Sequence, residues 1–152
     1  MLMLTMMIII SSASAETMNE TVSYYNAYSS ELGLDSLPDQ CSVKTDDGQT
    51  EYKYKISDTI DLIYVSAGSE ITAVKVVCLS SDDYLDFLAV CCSGAFSVMK
   101  TEYDTSIAGD ILFQLLNART GKADKRVSYC GDYAYRISIV KDIAMMVFMK
   151  SR

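Results

Sequence analysis

Histidine is absent from the chain. That removes the commonest general base, the commonest metal ligand and the Ser-His and Cys-His pairings of nucleophilic catalysis. Thiols, carboxylates and phenols remain. The five cysteines are Cys41, Cys78, Cys91, Cys92 and Cys130, and no two stand in a CxxC spacing. Zinc-site and thioredoxin-type readings therefore have no footing. A reactive thiolate wants a helix N-terminus or nearby cations, whereas Cys91-Cys92 falls about ten residues inside an expected helix. Asp46-Asp47 and Asp82-Asp83 are adjacent carboxylate pairs. Glycoside hydrolysis needs carboxyl groups facing each other across a gap, and sequence neighbours do not supply one. The first pair suits a hairpin turn and the second a helix start. No EF-hand loop, Gly-rich phosphate loop, nucleophile elbow or dinucleotide fingerprint occurs. The expectation is a protein without a catalytic centre, metal or cofactor.

Phenols are in excess, with eleven tyrosines against four phenylalanines and no tryptophan. Tyrosine offers large contact area, few rotors and a polar tip, which suits recognition surfaces. Tyr52, Tyr54, Tyr133 and Tyr135 are the candidate binding residues. They belong to an internal echo, YKYKIS at 52–57 and YAYRIS at 133–138. Asp61-Leu62 follows the first copy at the same distance as Asp142-Ile143 follows the second. One reading is a pair of equivalent hairpins carrying an aromatic strip. The other is convergence on strand chemistry, with the four rings covering a core.

The elements that would position these groups follow from periodicity. Residues 17–34 suggest a helix, with Met18, Val22, Tyr25 and Leu32 near one face, Gly33 as a stop and Pro38 beyond it. Asp47-Gly48 is a hairpin signal, because glycine accepts positive φ at no steric cost. Strands are expected over 41–45, 50–56, 60–66 and 70–79. Ser80-Ser81-Asp82-Asp83 then starts a helix whose stripe is Leu85, Leu88, Cys92, Ala95 and Met99, widened by Tyr84, Phe87, Cys91 and Val98. A further helix covers about 105–119. Strands near 127–140 and 143–149 finish the chain, with Gly131-Asp132 as a turn or bulge and Lys141-Asp142 at the bend. The run IAMMVFM at 143–149 is too short to span a bilayer and fits a buried strand. The order α-ββββ-αα-ββ gives an α+β fold with a mainly antiparallel sheet and helices packed on one face.

The first residues, MLMLTMMIII, carry no charge and lead into SSASAE. Ala13 and Ala15 form an A-x-A site, so residues 1–15 read as a signal peptide cleaved between Ala15 and Glu16. Residues 16–40 would be an N-terminal helix and linker, and 41–152 a single α+β domain. Export to a periplasm or the exterior permits disulfides among the five cysteines without specifying connectivity. Net charge is −7 over 152 residues. Such a surface disfavours nucleic acid, and the longest basic run is the pair Lys125-Arg126. No later segment is long and apolar enough to span a membrane. The reading is an exported, non-enzymatic binding or interaction protein, an inhibitor or adaptor of another exported protein, whose partner has a basic surface. The alternatives are a small enzyme using a carboxylate or cysteine, and a carrier of a small apolar ligand.

Overall fold

Alternating apolar and charged residues require a sheet with two unlike faces. The computed structural model describes residues 2–121 and 127–151, with side chains from Thr17 onward. The pair Lys125-Arg126 lies outside the described residues. The chain runs α1 (Leu2–Glu31), β1 (Ser42–Asp46), β2 (Gln49–Lys55), β3 (Ile60–Ala67), β4 (Glu70–Cys78), α2 (Tyr84–Met99), α3 (Thr105–Arg119), β5 (Ser128–Cys130), β6 (Tyr133–Val140) and β7 (Ile143–Lys150). The seven strands form one antiparallel sheet in the order β1-β2-β3-β4-β7-β6-β5. The fold is α+β, with the two-helix insertion between two groups of strands. Among the described residues, no helix is long and apolar enough to cross a membrane.

Residues opposite one another in an antiparallel ladder share a face. One row is Tyr52, Tyr64, Val74, Phe148 and Tyr135, and the next is Tyr54, Leu62, Val76, Met146 and Ile137. Both rows lie under the helices and join Tyr25, Phe87, Val90, Cys91 and Ile111 in one core. Met18, Tyr25 and Leu37 enter the same core, which makes α1 and the linker after it part of it.

The α2 helix is the centrepiece. Ser80 caps the 3-10 turn before it by accepting from the Asp82 amide. The Thr59 hydroxyl donates to Asp83 at 2.6 Å, and Tyr84 donates to the Asp142 carbonyl at 2.8 Å. These bonds pin the start of α2 to the β2–β3 and β6–β7 turns. Its inward seam is Tyr84, Phe87, Cys91, Gly94 and Ala95. The expected stripe is off by part of a turn, for Leu85 points to solvent and is 79% exposed. On a helix apolar over most of its girth, hydropathy alone does not fix the rotation. Gly94 does: a Cβ there would lie 3.1 Å from Val74 Cγ1 and 3.5 Å from Leu62 Cδ1.

The aromatic residues of α1 lock it onto α2. Tyr28 stacks on Phe96 at 4.7 Å and shares a 3.0 Å hydrogen bond with Tyr103. Hairpin turns follow local chemistry. Asp47-Gly48 has positive φ at both positions, as does Lys141-Asp142, although the latter pair lacks glycine. Two left-handed residues in succession are what a two-residue hairpin twisting with its strands requires.

The internal echo does not describe equivalent hairpins. The first copy leaves its strand after Lys55, whereas the second runs on to Val140 before turning. Asp61 accordingly sits within β3 and Asp142 within a turn.

Gly94→Ala separates two opposing effects. Helix propensity favours alanine by about 1 kcal/mol. Overpacking against fully buried Val74 and Leu62 costs about 1–3 kcal/mol. The expected outcome in urea denaturation is a net loss of about 1 kcal/mol, and a gain of that size would mean α2 sits further from the sheet.

Candidate functional site

The four tyrosines lie on the helix-covered face. Tyr54 and Tyr135 are buried, while Tyr52 and Tyr133 are half-buried against the core. β2 and β6 are separated by β3, β4 and β7, so the pairs stand roughly 19 Å apart at ~4.8 Å per strand. Tyr52 and Tyr135 are the ends of a row filled by Tyr64, Val74 and Phe148, while Tyr54 ends the neighbouring row and Tyr133 lies opposite Lys150. Tyr133 and Tyr135 stack on Phe148 at 5.1 and 5.7 Å.

Beyond Tyr135 the structure brings together groups that periodicity does not single out. The first half of α3 and the short strand β5 enclose an open cleft of about 510 Å³, lined by Ser106, Ile107, Asp110, Ser128, Cys130 and Tyr135, with Val127 and Tyr129 on its strand side. Asp104 caps α3 by accepting from the Ser106 amide at 2.7 Å and from the Ser106 hydroxyl. These bonds hold its carboxyl below the usual carboxylate range. One turn on, Asp110 accepts from the Tyr135 hydroxyl at 2.6 Å. Burial, then this contact with Asp110, pushes the Tyr135 phenol up, so it stays protonated and donates.

Gln114 of α3 bridges to β5 and β6 beside the cleft. Its Oε1 accepts from the Ile137 amide at 2.8 Å and its Nε2 donates to Ser128 Oγ at 2.6 Å. A weaker bond runs from Nε2 to the Tyr135 carbonyl at 3.4 Å. The side-chain amide thus takes the place of a strand where β5 ends and β6 continues.

Beside the cleft, α3 turns Leu112, Phe113 and Leu116 outward, each at least 42% exposed. Phe113 is three residues after Asp110, so the two are neighbours on the helix surface. The sequence signal for this site is the polar Gln114 within ILFQLL, flanked by more apolar residues than one buried stripe needs.

The cleft is acidic. Burial raises the Cys130 thiol, and Asp104 and Glu102 nearby raise it further. Burial also raises the thiols of Cys78, Cys91 and Cys92. A raised thiol remains protonated at neutral pH and is a poor nucleophile. None of the five cysteines is bridged. Among the described residues, no three Cys, Asp or Glu side chains gather to hold a metal ion. Compared with known proteins, the chain matches no family model, no curated protein and no solved structure.

The buried phenols set a pH limit. Burial is the first cause raising Tyr25, Tyr54, Tyr64, Tyr103 and Tyr135 above their ordinary values. A folded-state pKa above the unfolded value of about 10 gives stability that is complete below that pH and lost as pH rises toward the folded value. Urea midpoints are expected to hold steady to about pH 8, to begin falling as the raised thiols of Cys78, Cys91 and Cys92 ionise in the unfolded chain, and to fall more steeply from about pH 10 upward. A midpoint unchanged through pH 11 would contradict the buried, protonated placement.

Proposed function

We propose that the protein is an exported, non-enzymatic interaction protein whose partner brings a basic side chain into the cleft between α3 and β5. The observation that carries this reading is the juxtaposition of the acidic cleft with the exposed apolar face of α3. Asp110 offers a carboxylate for a guanidinium or ammonium group, with Ser106 and Ser128 supplying hydroxyl acceptors. Phe113 and Leu116 offer apolar contact alongside. Aromatic and charged anchors of this kind dominate binding at protein interfaces. The basic partner suggested by net charge thus meets a specific acidic site. The anchors differ from the four tyrosines, since those rings are engaged in or against the core.

The protonated thiols of the cleft and core favour binding over cysteine catalysis. The A-x-A pattern supports export.

The test uses protein recovered from its producing cells, whose intact mass should read as residues 16–152. Amide chemical shifts are followed as a short peptide, acetyl-Ala-Arg-Phe-Ala-amide, is added. Shifts are expected at Ser106, Asp110, Ser128 and Phe113, with affinity falling about tenfold or more in Asp110→Asn. Equal binding of the peptide with glutamate in place of arginine would sink the acidic-cleft reading. A full-length mass would sink cleavage.

A further inference from the structure

Among the described residues, the sheet ends at β1 on one side and at β5 on the other. β1 carries Lys44 and Asp46, and charges of this kind blunt an edge against stray pairing. β5 is Ser128-Tyr129-Cys130 and carries none. It is also the edge that borders the acidic cleft, which four consecutive residues from Val127 to Cys130 line.

The direction of the backbone groups along β5 follows from the turns. Cys130 pairs with Tyr133 across Gly131-Asp132, and Val140 pairs with Ile143 across Lys141-Asp142. Residues that close a two-residue hairpin exchange both backbone hydrogen bonds, and such pairs recur at every second position. Even-numbered residues of β6 therefore bond to β7, and odd-numbered ones turn toward β5. The Ile137 amide agrees, since it donates to Gln114 where β5 would otherwise continue. Ser128 and Cys130 thus bond to Tyr135 and Tyr133, while Tyr129, opposite Ala134, turns its N–H and carbonyl to the free edge.

Side chains alternate as well. Ser128 Oγ accepts from Gln114 of α3, and Cys130 shares that face. The Tyr129 ring lies on the other face and is 73% exposed.

We infer that the partner's basic residue arrives on an extended segment, which adds to β5 as a further antiparallel strand. The inference rests on the acidic-cleft reading above and supplies its recognition mode. Antiparallel pairing continues the pattern of the whole sheet. A strand added ~4.8 Å outside β5 places the residue opposite Ser128 with its side chain on the α3 face. That is the level of Tyr135, which lies across from Ser128 and donates to Asp110. The next residue, opposite Tyr129, accepts from the Tyr129 N–H and donates to its carbonyl. One register therefore meets the carboxylate and the open backbone pair together. Main-chain bonds of this kind give affinity, and alternate side chains give specificity. A three-residue edge offers few such bonds, so a strand without the basic anchor gains little, and the edge is selective.

The test compares three forms of acetyl-Ala-Arg-Phe-Ala-amide by amide-shift titration of the full protein. With arginine in the cleft, its own N–H and that of the last alanine point away from β5. The N–H groups of the first alanine and the phenylalanine point toward it. The peptide N-methylated at arginine and the last alanine is expected to bind like the parent. The peptide N-methylated at the first alanine and phenylalanine is expected to bind at least about tenfold more weakly. Each carries two methyl groups, so stiffening alone does not separate them. On the protein, Tyr129→Ala is expected to keep the parent affinity. Tyr129→Pro removes the outward N–H at an edge position that tolerates proline, and is expected to lose about tenfold. Circular dichroism and urea midpoints verify that both variants fold.

Equal affinity of the two methylated peptides would overturn strand addition, and the reverse order would overturn the antiparallel register. The Asp110→Asn titration is read separately. Loss with Asp110→Asn and equal methylated peptides would leave the acidic cleft standing without the strand. The expected methyl pattern with no loss in Asp110→Asn would leave the strand without its carboxylate anchor. A parent peptide that shifts no amide would sink both.

Discussion

The close seat of α2 on the sheet is the constraint on which the other elements depend. Gly94 lets the helix backbone approach Val74 and Leu62 at the sheet centre. Interiors pack at crystal-like density, so this one distance sets the level of the whole helical layer. Phe96 then meets Tyr28 of α1, and Tyr84 reaches the β6–β7 turn. The helix ties the first four strands to the last three, which otherwise join along the single β4–β7 ladder.

A core built at that level holds many tyrosines, and each phenol needs a partner. Tyr64 shares a 2.7 Å bond with Ser97, Tyr28 bonds Tyr103, and Tyr135 donates to Asp110. Among the described residues, no buried side-chain nitrogen or oxygen lacks a partner. An unsatisfied buried hydroxyl costs about 1–3 kcal/mol, which is the reason each of these phenols meets a polar partner. The tyrosine excess is thus an architectural feature in this chain. It joins the helical layer to the sheet through polar contacts within an apolar core.

Much of this was legible in the residues. Alternation marked each long strand, Asp47-Gly48 and Gly131-Asp132 marked turns, and Ser80 through Asp83 marked the start of α2. These are local signals, set by backbone geometry within a few residues. Three features were not local. The rotation of α2 depends on Gly94 meeting a strand twenty residues away, so hydropathy alone turns Leu85 inward. The tyrosine pairs share a face, yet sheet order places three strands between them. The cleft arises because β5 is short and α3 crosses beside it, which no single segment encodes. The run at 143–149 states the opposite case. It reads as a buried strand, whereas the helices bury Met146 and Phe148 and leave Met145 and Met149 exposed on the other side.

The central claim is that the chain's own helices close one face of the sheet at the level Gly94 sets. Met145 and Met146 are adjacent and point to opposite faces, with Met146 fully buried. Methionine oxidation by dilute peroxide, read by mass spectrometry, compares the two faces within one peptide. The account predicts that Met146 resists while Met145 and Met149 oxidise. Oxidation of Met146 at the rate of Met145 would contradict it.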